Sequence, residues 1–447
     1  MSATAIIVLL VYLAGVALAL RGEPFFALLS YFWIFYNDPQ TSWWGRELPD
    51  FRYSLLAAVV ALLVTLGMER KSDRSWLSNT GPVLLLLYVI WVWVQAPWAV
   101  NPAVHLDGAI LGTKLAVLCY VIYRNALDTQ RLEWLLWAHV AGCFIFGWKA
   151  YTTVANGRLE TVGGPGVDDS NILATHLVTG AVAAGMLFIS KRGWSRWLAL
   201  GTLPFMLDAI IRTQSRGGFI SLAAAGIAVW YLTSRKHRLF VTLAGAMGVA
   251  LFLSLATQDF WDRMSSIKPV DGTQQNETRV AILGPQFRMF LDHPLGAGHR
   301  GNEFLSPQYM SKELLSNNGR RAAHNTFMAA LVDQGVPGAV LLLGLYGWAF
   351  LLIRRLKKMD RLGLPDNLAV MRTVIGAALA SLFVSGMFLN LLRLETQVWF
   401  LALLAAAAVV SSKSLEGATG VPAEQAPVRI PRRTGRKPTP TPAGPGA

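Results

Sequence analysis

The residues best suited to chemistry lie between Glu277 and Gly338, a polar stretch of a chain that is otherwise largely apolar. It holds three of the seven histidines, His293, His299 and His324, together with several arginines. A histidine titrates near neutral pH and can take a proton from a hydroxyl. Arginine offers a planar fork of donors that matches a phosphate group. Long polar insertions between apolar segments are usually functional, so this pattern favours a catalytic face over an inert lid.

The composition of the chain indicates a membrane protein. Of its 447 residues, 53% are hydrophobic and only 15% are charged, whereas a soluble domain carries about a quarter charged residues. The apolar runs have the length of transmembrane helices rather than barrel strands, and they predict one all-α polytopic bundle. Much of the net charge of +14 lies in short loops and in the C-terminal tail, as the positive-inside rule predicts. This distribution of positive charge therefore argues against nucleic acid as a partner.

The apolar runs predict about twelve transmembrane helices. One further run, 24–36, has about thirteen residues, which is short against the roughly 20 residues that cross a bilayer. We interpret it as an interfacial or re-entrant segment; if it crosses, there are thirteen spans and the N-terminus changes sides. The predicted spans are 4–20, 54–69, 80–95, 108–123, 132–150, 171–190, 195–213, 218–233, 239–256, 326–353, 367–389 and 396–411.

Short basic loops alternate with loops that are nearly neutral or acidic. Because basic loops stay in the cytoplasm, the long loop 257–323 should face outward and, with twelve spans, both termini inward. The predicted domains are a transmembrane helical domain over 1–411, which includes this loop, and a tail over 412–447. The tail is rich in Pro, Gly and Arg and should be a disordered cytoplasmic segment without chemistry.

Asp208, Arg212 and Arg216 follow one another at intervals of four residues at the outer end of the predicted span 195–213. Residues at this spacing share one stripe of a helix. We expect Asp208 and Arg212 to pair, which lowers the cost of placing charges in a bilayer. Arg216 should project beyond them toward the outer surface. The stripe favours a functional role over a simple interfacial anchor.

Two arginines of the long loop, Arg279 and Arg288, are nine residues apart with Pro285 between them. On an ideal helix that spacing gives opposite faces, so both should not serve the same pocket. Further along, His324 stands where the loop re-enters the membrane, before a helix that should be interrupted over 335–338. Asn325 should cap that helix.

Four segments of the chain, taken in order, resemble motifs of the bacterial O-antigen ligase family. Any one of them is weak, but four in the family's order are specific. One departure is Leu283, where relatives often have Trp. The segments are the Gly-rich stretch 163–174 with Asn171, the triplet Ser215-Arg216-Gly217, the run 279–298 that ends in DHPLGAG, and His324-Asn325 followed by Gly335 and Gly338.

The resemblance implies a glycosyltransferase of the bacterial inner membrane, with the helical architecture of C-type glycosyltransferases and an active site facing the periplasm. Its donor would be a glycan on undecaprenyl diphosphate, and its acceptor the lipid A–core oligosaccharide. His324 would be the base, while Arg216 and Arg279 would hold the diphosphate leaving group. Further substrate contacts are expected from Arg212, Arg288, Arg320, Arg321, Asn171 and Asn325.

The spacing of acidic and histidine residues does not resemble a Mg²⁺ or Zn²⁺ site, so we expect no metal and no other cofactor. A single displacement would invert the anomeric configuration. Three alternatives stay open. An O-antigen polymerase uses the same donor with a lipid-linked glycan acceptor. A protein O-glycosylation ligase is suggested by the N-terminal run 25–40, which resembles a subgroup associated with that activity. A transporter would instead show internal repeats and charges at mid-membrane.

Overall fold

The computed structural model describes residues 1–67, 75–154, 158–160, 162–167, 169–255, 261 and 281–419. These residues are about 80% helical. Within these ranges the β-structure is an isolated bridge between Gly164 and Val167, and no strand is formed. The prediction of an all-α protein is therefore confirmed.

The described ranges contain fifteen α-helices. In chain order they are α1 (Ala3–Leu20), α2 (Pro24–Tyr36), α3 (Tyr53–Gly67), α4 (Thr80–Val94), α5 (Pro102–Asn125), α6 (Thr129–Thr152), α7 (Ser170–Ser190), α8 (Trp194–Arg212), α9 (Arg216–Leu232), α10 (Arg235–Leu255), α11 (Leu283–Asp292), α12 (Gly301–Tyr309), α13 (Thr326–Met359), α14 (Asp366–Ser385) and α15 (Glu395–Thr419).

Eight of the described helices are long and apolar enough to cross a membrane, namely α1, α4, α5, α7, α10, α13, α14 and α15. The apolar helices α3 and α9 are shorter. Each of the twelve predicted spans coincides with one helix, while α11 and α12 lie in the predicted long loop. The chain is a polytopic membrane protein.

The short helix α2 is enclosed by other helices of the bundle, and its interpretation as an interfacial or re-entrant segment stays a prediction. Ten of its thirteen residues are buried, and it packs against α1, α3 and α6. Glu23, just before α2, pairs with Arg131 in the first turn of α6 at 2.9 Å. At the other end, Lys149 Nζ of α6 donates to the Tyr36 carbonyl at 3.2 Å. The helix therefore runs alongside α6 from one level of the bundle to the other.

The contacts of the segment that follows α2 also show at which end of the bundle the N-terminus lies. The Ser2 amide donates to the Glu47 carboxylate in the connection between α2 and α3, so the N-terminus lies at the end of the bundle where α2 finishes. A helix enclosed by other helices does not have to match the hydrocarbon thickness by itself, because protein rather than lipid covers its surface. Its length alone therefore does not decide between twelve and thirteen spans, and the number stays a prediction.

The two ends of the bundle differ in what they carry. One end, which we call the site end, holds residues 95–101, 153–154, 158–160, 162–167, 213–215, 281–325 and 386–394. Contacts join these segments: Arg158 Nε donates to the Thr213 carbonyl at 2.9 Å, and Val100 N to the Ala297 carbonyl at 2.9 Å. The opposite end carries the short connections 191–193, 233–234 and 360–365, flanked by basic residues.

Candidate functional site

Helix α13 is broken inside its first third. Gly335 has φ 66° and ψ −168°, a conformation that is open essentially to glycine alone. The predicted interruption over 335–338 is thus confirmed, and Gly335 is the residue at which it occurs. A break of this kind frees backbone groups on both sides, and groups that are buried need new partners.

The backbone of the segment 294–298 supplies those partners. Ala297 N donates to the Val332 carbonyl and Gly298 N to the Asp333 carbonyl, both at 2.9 Å. In the opposite direction Val336 N donates to the Pro294 carbonyl at 2.9 Å. The glycine- and proline-rich end of the 279–298 motif is therefore a structural insert that seals the broken helix.

Side chains from the last turns of α4 and from the α4–α5 connection close this junction from the other side. Trp91 Nε1 donates to the Gln334 carbonyl at 2.7 Å, Gln95 Nε2 to the Leu295 carbonyl at 2.7 Å, and Trp98 Nε1 to the Gly296 carbonyl at 3.2 Å. Sequence reasoning missed these three residues. The available signal was the run of tryptophans and glutamine at the outer end of an apolar helix, where such side chains usually anchor to the interface.

Residue 324 stands immediately before the broken helix. His324 is half-buried and has a left-handed backbone with φ 49°. The next residue, Asn325, caps α13 as predicted, because its Oδ1 accepts from Phe327 N at 2.9 Å and Met328 N at 3.0 Å. Asn325 Nδ2 also donates to the Met387 carbonyl at 3.1 Å. The side-chain amide of Asn325 is thus engaged in structure.

Thr326 fixes the same segment to the connection between α14 and α15. Its amide donates to the Gly386 carbonyl at 2.7 Å, and its hydroxyl to the Leu389 carbonyl at 2.7 Å. The same hydroxyl accepts from Leu391 N at 2.9 Å. The 386–391 segment is therefore one wall of the site, and the sequence motifs give no sign of it.

The Ser215-Arg216-Gly217 motif begins helix α9, so the predicted stripe is wrong beyond Arg212. Helix α8 ends at Arg212, and Gln214 has φ 48°, which turns the chain. The Ser215 hydroxyl then caps α9 by accepting from Gly218 N at 3.0 Å. Arg216 is the first residue of α9 and is half-buried. A tight turn between two helices resets the angular position of every residue after it.

Arg212 forms the predicted pair with Asp208, at 3.7 Å between Nη1 and Oδ2. Its guanidinium also donates to the carbonyls of Ala150 and of Thr153, the latter at 2.7 Å. Arg212 thus ties the end of α8 to the end of α6. The contact of Arg212 with substrate remains a prediction. Such a contact would have to form while the guanidinium keeps its bonds to Asp208, Ala150 and Thr153.

Contacts with the 386–391 segment bring the motifs together. A Cβ at Gly217 would lie 3.3 Å from Phe388 Cβ, and one at Gly218 would lie 2.6 Å from Ala174 Cβ of α7. Farther along the same segment, Met387 and Leu389 bond the residues that follow His324. The triplet that contains Arg216 and the dipeptide His324-Asn325 therefore share one neighbour.

The Gly-rich stretch joins this arrangement through the start of α7. Asp169 caps α7, its Oδ1 accepting from Asn171 N at 2.7 Å. Asn171 is half-buried in the first turn, and its carbonyl accepts from the Thr175 hydroxyl at 3.0 Å. The Thr175 hydroxyl also lies 3.0 Å from Ser385 Oγ at the end of α14. Asn171 thus stands on the helix that packs beside the site wall.

The remaining predicted arginines are dispersed. Arg279 lies outside the described residues, so its relation to Arg288, which is exposed on α11, stays a prediction. Arg320 is exposed and stacks on the Phe304 ring at 4.4 Å. Arg321 is half-buried, its amide donates to Ser306 Oγ at 2.8 Å, and burial lowers the pKa of its guanidinium.

His299, which follows the 294–298 insert, is half-buried. Its amide donates to His105 Nδ1 at 2.9 Å. Burial first, and then the charge of Arg393, lower the pKa of His299 to about 4. His299 is therefore neutral at physiological pH.

A second polar cluster lies inside the bundle. His139, Cys143 and His176 are buried and are residue types that can hold a metal ion. The Tyr36 hydroxyl lies among them, 2.7 Å from His139 Nδ1, 3.0 Å from His176 Nε2 and 4.0 Å from Cys143 Sγ. The four residues therefore form a buried hydrogen-bond network. Cys119 and Cys143 are both free and buried.

Comparison with known families agrees with these motifs. Residues 201–343 match the family model described as O-antigen ligase. The matched range contains Arg216, Arg279, His324 and the break at Gly335. A search of curated proteins gives no match. Residues 201–343 therefore carry an O-antigen ligase domain, consistent with membership of the chain in the O-antigen ligase family.

Proposed function

We propose that this protein moves an O-antigen glycan from undecaprenyl diphosphate to a hydroxyl of the lipid A–core oligosaccharide. The reaction would take place at the site end of the bundle, on the periplasmic face of the inner membrane. The observation that carries the proposal is that the segments containing Arg216 and His324 contact the wall 386–391, while the segment containing Asn171 contacts Ser385 just before it. Segments that carry charged and titratable residues from distant parts of the chain thus come together at one end of an apolar bundle.

The chemistry needs two kinds of group. Displacement of a diphosphate from an anomeric carbon leaves negative charge on the departing oxygen, and guanidinium groups stabilise that charge. We assign this role to Arg216 and Arg279. The acceptor hydroxyl becomes a better nucleophile when a base takes its proton. We assign this role to His324, at the water-facing start of a capped helix.

In this scheme the acceptor oxygen forms the new glycosidic bond as the bond from the anomeric carbon to the diphosphate breaks. The hydroxyl proton passes to the His324 imidazole, and the electron pair leaves with undecaprenyl diphosphate. Attack from the face opposite the leaving group inverts the anomeric configuration. Arg288, Arg320 and Arg321 would contact the glycan or the acceptor at the rim.

The test is glycan transfer by purified protein in lipid nanodiscs, with a donor labelled in the glycan. Three acceptors separate the candidate activities: lipid A–core, a second lipid-linked glycan and an acceptor protein. We expect transfer to lipid A–core. Transfer only to the lipid-linked glycan or only to protein would instead assign the polymerase or the protein ligase activity.

The same assay tests the base. General acid–base catalysis contributes roughly 10²–10⁴-fold, so His324→Ala should lose at least about a hundredfold in transfer. Binding of the donor should be largely retained, because the arginines hold the diphosphate. His293→Ala, at the end of α11, is the matched control and should be much milder. Near wild-type transfer by His324→Ala would rule out this residue as the base.

A further inference from the structure

The backbone at His324 has an uncommon conformation that must be held in place. Its φ of 49° lies in the left-handed region, which residues other than glycine seldom adopt. Such conformations persist where the surrounding contacts fix them, and they are frequent at functional sites. The contacts on each side of His324 therefore show which residues determine its position.

The chain before His324 is held by side chains of two short helices. On α12, Asn302 Nδ2 donates to the Arg321 carbonyl at 3.1 Å, and Ser306 Oγ accepts from Arg321 N at 2.8 Å. On α11, Gln286 Nε2 donates to the Ala323 carbonyl at 3.2 Å. Gln286 is fully buried, and Ala323 is 3% exposed. The last bond acts one residue before the histidine.

A bond to the Ala323 carbonyl acts directly on the conformation of His324. The Ala323 carbonyl and the His324 amide belong to one planar peptide unit. Fixing that carbonyl fixes the orientation of the whole plane, which is one of the two planes that together set the φ and ψ angles of His324. After His324, the Asn325 side chain bonds to Met387 and the Thr326 amide to Gly386, which fixes the chain one and two residues beyond the histidine. The imidazole therefore extends from a backbone that is clamped on both sides.

The chemistry of Gln286 does not suit a packing role. It lies on the buried face of α11 beside Pro285 and Met289, where an apolar side chain of similar length would fill the same volume. Burying an amide is costly unless it makes a hydrogen bond. The bond that it makes is the one to Ala323, so the amide is explained by the segment that carries His324.

We propose that Gln286 is a positioning residue for the transfer reaction, acting through the Ala323–His324 peptide plane. This inference rests on the proposed function, with His324 as the base. A displacement of a catalytic group by about 1 Å can cost roughly 10²-fold in rate, so loss of one clamp can reduce turnover while both substrates still bind. Gln286 is then a determinant of turnover although it touches no substrate.

The variants are Gln286→Met, which keeps the length and removes the donor, and Gln286→Leu, which removes the donor with a shorter apolar side chain. We expect kcat to fall about tenfold, because the free energy of one hydrogen bond corresponds to about that factor in rate. The KM for the donor should stay within about twofold of wild type. Met289→Leu, on the same buried face of α11, is the matched control and should keep wild-type kcat. If Gln286→Met does not fold, Gln286→Leu carries the same test.

A double-mutant cycle with His324→Ala separates positioning from general support of the fold. If Gln286 acts through the imidazole, Gln286→Met should cost about tenfold in the wild-type background and almost nothing when His324 is alanine. An equal loss in both backgrounds, or wild-type kcat in Gln286→Met, would overturn the inference. Wild-type transfer by His324→Ala alone would instead overturn the proposed base, so the two failures are distinguishable.

Discussion

A side chain at position 335 should disrupt the contacts between the broken helix α13 and the 294–298 insert. A Cβ at Gly335 would lie 2.5 Å from the Gly296 nitrogen and would press on backbone atoms of Pro294 and Leu295. Backbone atoms cannot move away as a flexible side chain can. The φ of 66° is also strained for any residue that carries a Cβ.

The cost of Gly335→Ala has two sources. The conformational strain of a non-glycine residue in this region is about 1–3 kcal/mol. If the insert is displaced, its three backbone hydrogen bonds to residues 332, 333 and 336 are weakened as well, each worth about 0.5–1.5 kcal/mol. The combined destabilisation should reach about 3–7 kcal/mol.

The assay is the apparent melting temperature in detergent, followed by size-exclusion fluorescence, together with glycan transfer. Gly335→Ala should melt several degrees below wild type and lose transfer. Gly347→Ala is the matched control on the same helix, because no atom lies within 4 Å of its Cβ position. Alanine favours a helix interior over glycine by about 0.5–1 kcal/mol, so this variant should be unchanged or slightly more stable. Equal melting temperatures for Gly335→Ala and Gly347→Ala would refute the reasoning.

Four further predictions follow from the same structure. Arg216→Ala should lower transfer by about one to two orders of magnitude, because it removes a charge-assisted contact worth about 1.5–3 kcal/mol. Arg216→Lys should recover only part of the transfer activity, because lysine lacks the planar fork of donors. Full activity in Arg216→Ala would contradict the assignment. The pKa of His299 is lowered to about 4 from about 6.5 in the unfolded chain, so protonation of this residue favours unfolding and the melting temperature should fall as the pH drops from 6.5 toward 4. The variant His299→Gln should show a shallower fall. An identical pH profile for the variant and the wild type would exclude His299 as the cause. Cysteine at exposed Ser316 should react with an impermeant label from the periplasmic side and cysteine at exposed Arg361 should not; the reverse pattern would invert the orientation. Removal of the tail after Gly420 should leave transfer intact, and an inserted but inactive truncation would show that the tail takes part.

Hydrophobic periodicity predicted the helices well because each predicted span is an autonomous apolar segment. It left α2 undecided, because the length of a helix says nothing about the helices that enclose it. The break in α13 was predictable too, because Gly335 and Pro337 are both unfavourable in a helix interior. Helix formation and the helix break can be predicted because both depend on the residues of the segment itself.

The architecture of the site was less predictable. The equal spacing of Asp208, Arg212 and Arg216 suggested one stripe, yet the turn at Gln214 separates the last residue from the other two. Nothing in the motifs pointed to the 386–391 wall, since it lies outside the segments that resemble the family and binds mainly through backbone carbonyls. Contacts of this kind depend on tertiary position rather than on side-chain type.

The hydrogen-bond network around Tyr36 has a consequence for biogenesis. His176 Nδ1 bonds to Thr396 Oγ1 at 2.7 Å, and Trp399 packs on the Phe32 ring at 4.4 Å between centroids. Both partners belong to α15, which leaves the ribosome after α2 and α7. Until α15 inserts, the polar groups of α2 and α7 face an apolar membrane without their full set of partners, which is costly. Helices α2, α7 and α15 therefore have to meet before assembly is complete, and a nascent chain stalled before residue 395 should be held by insertion factors or degraded.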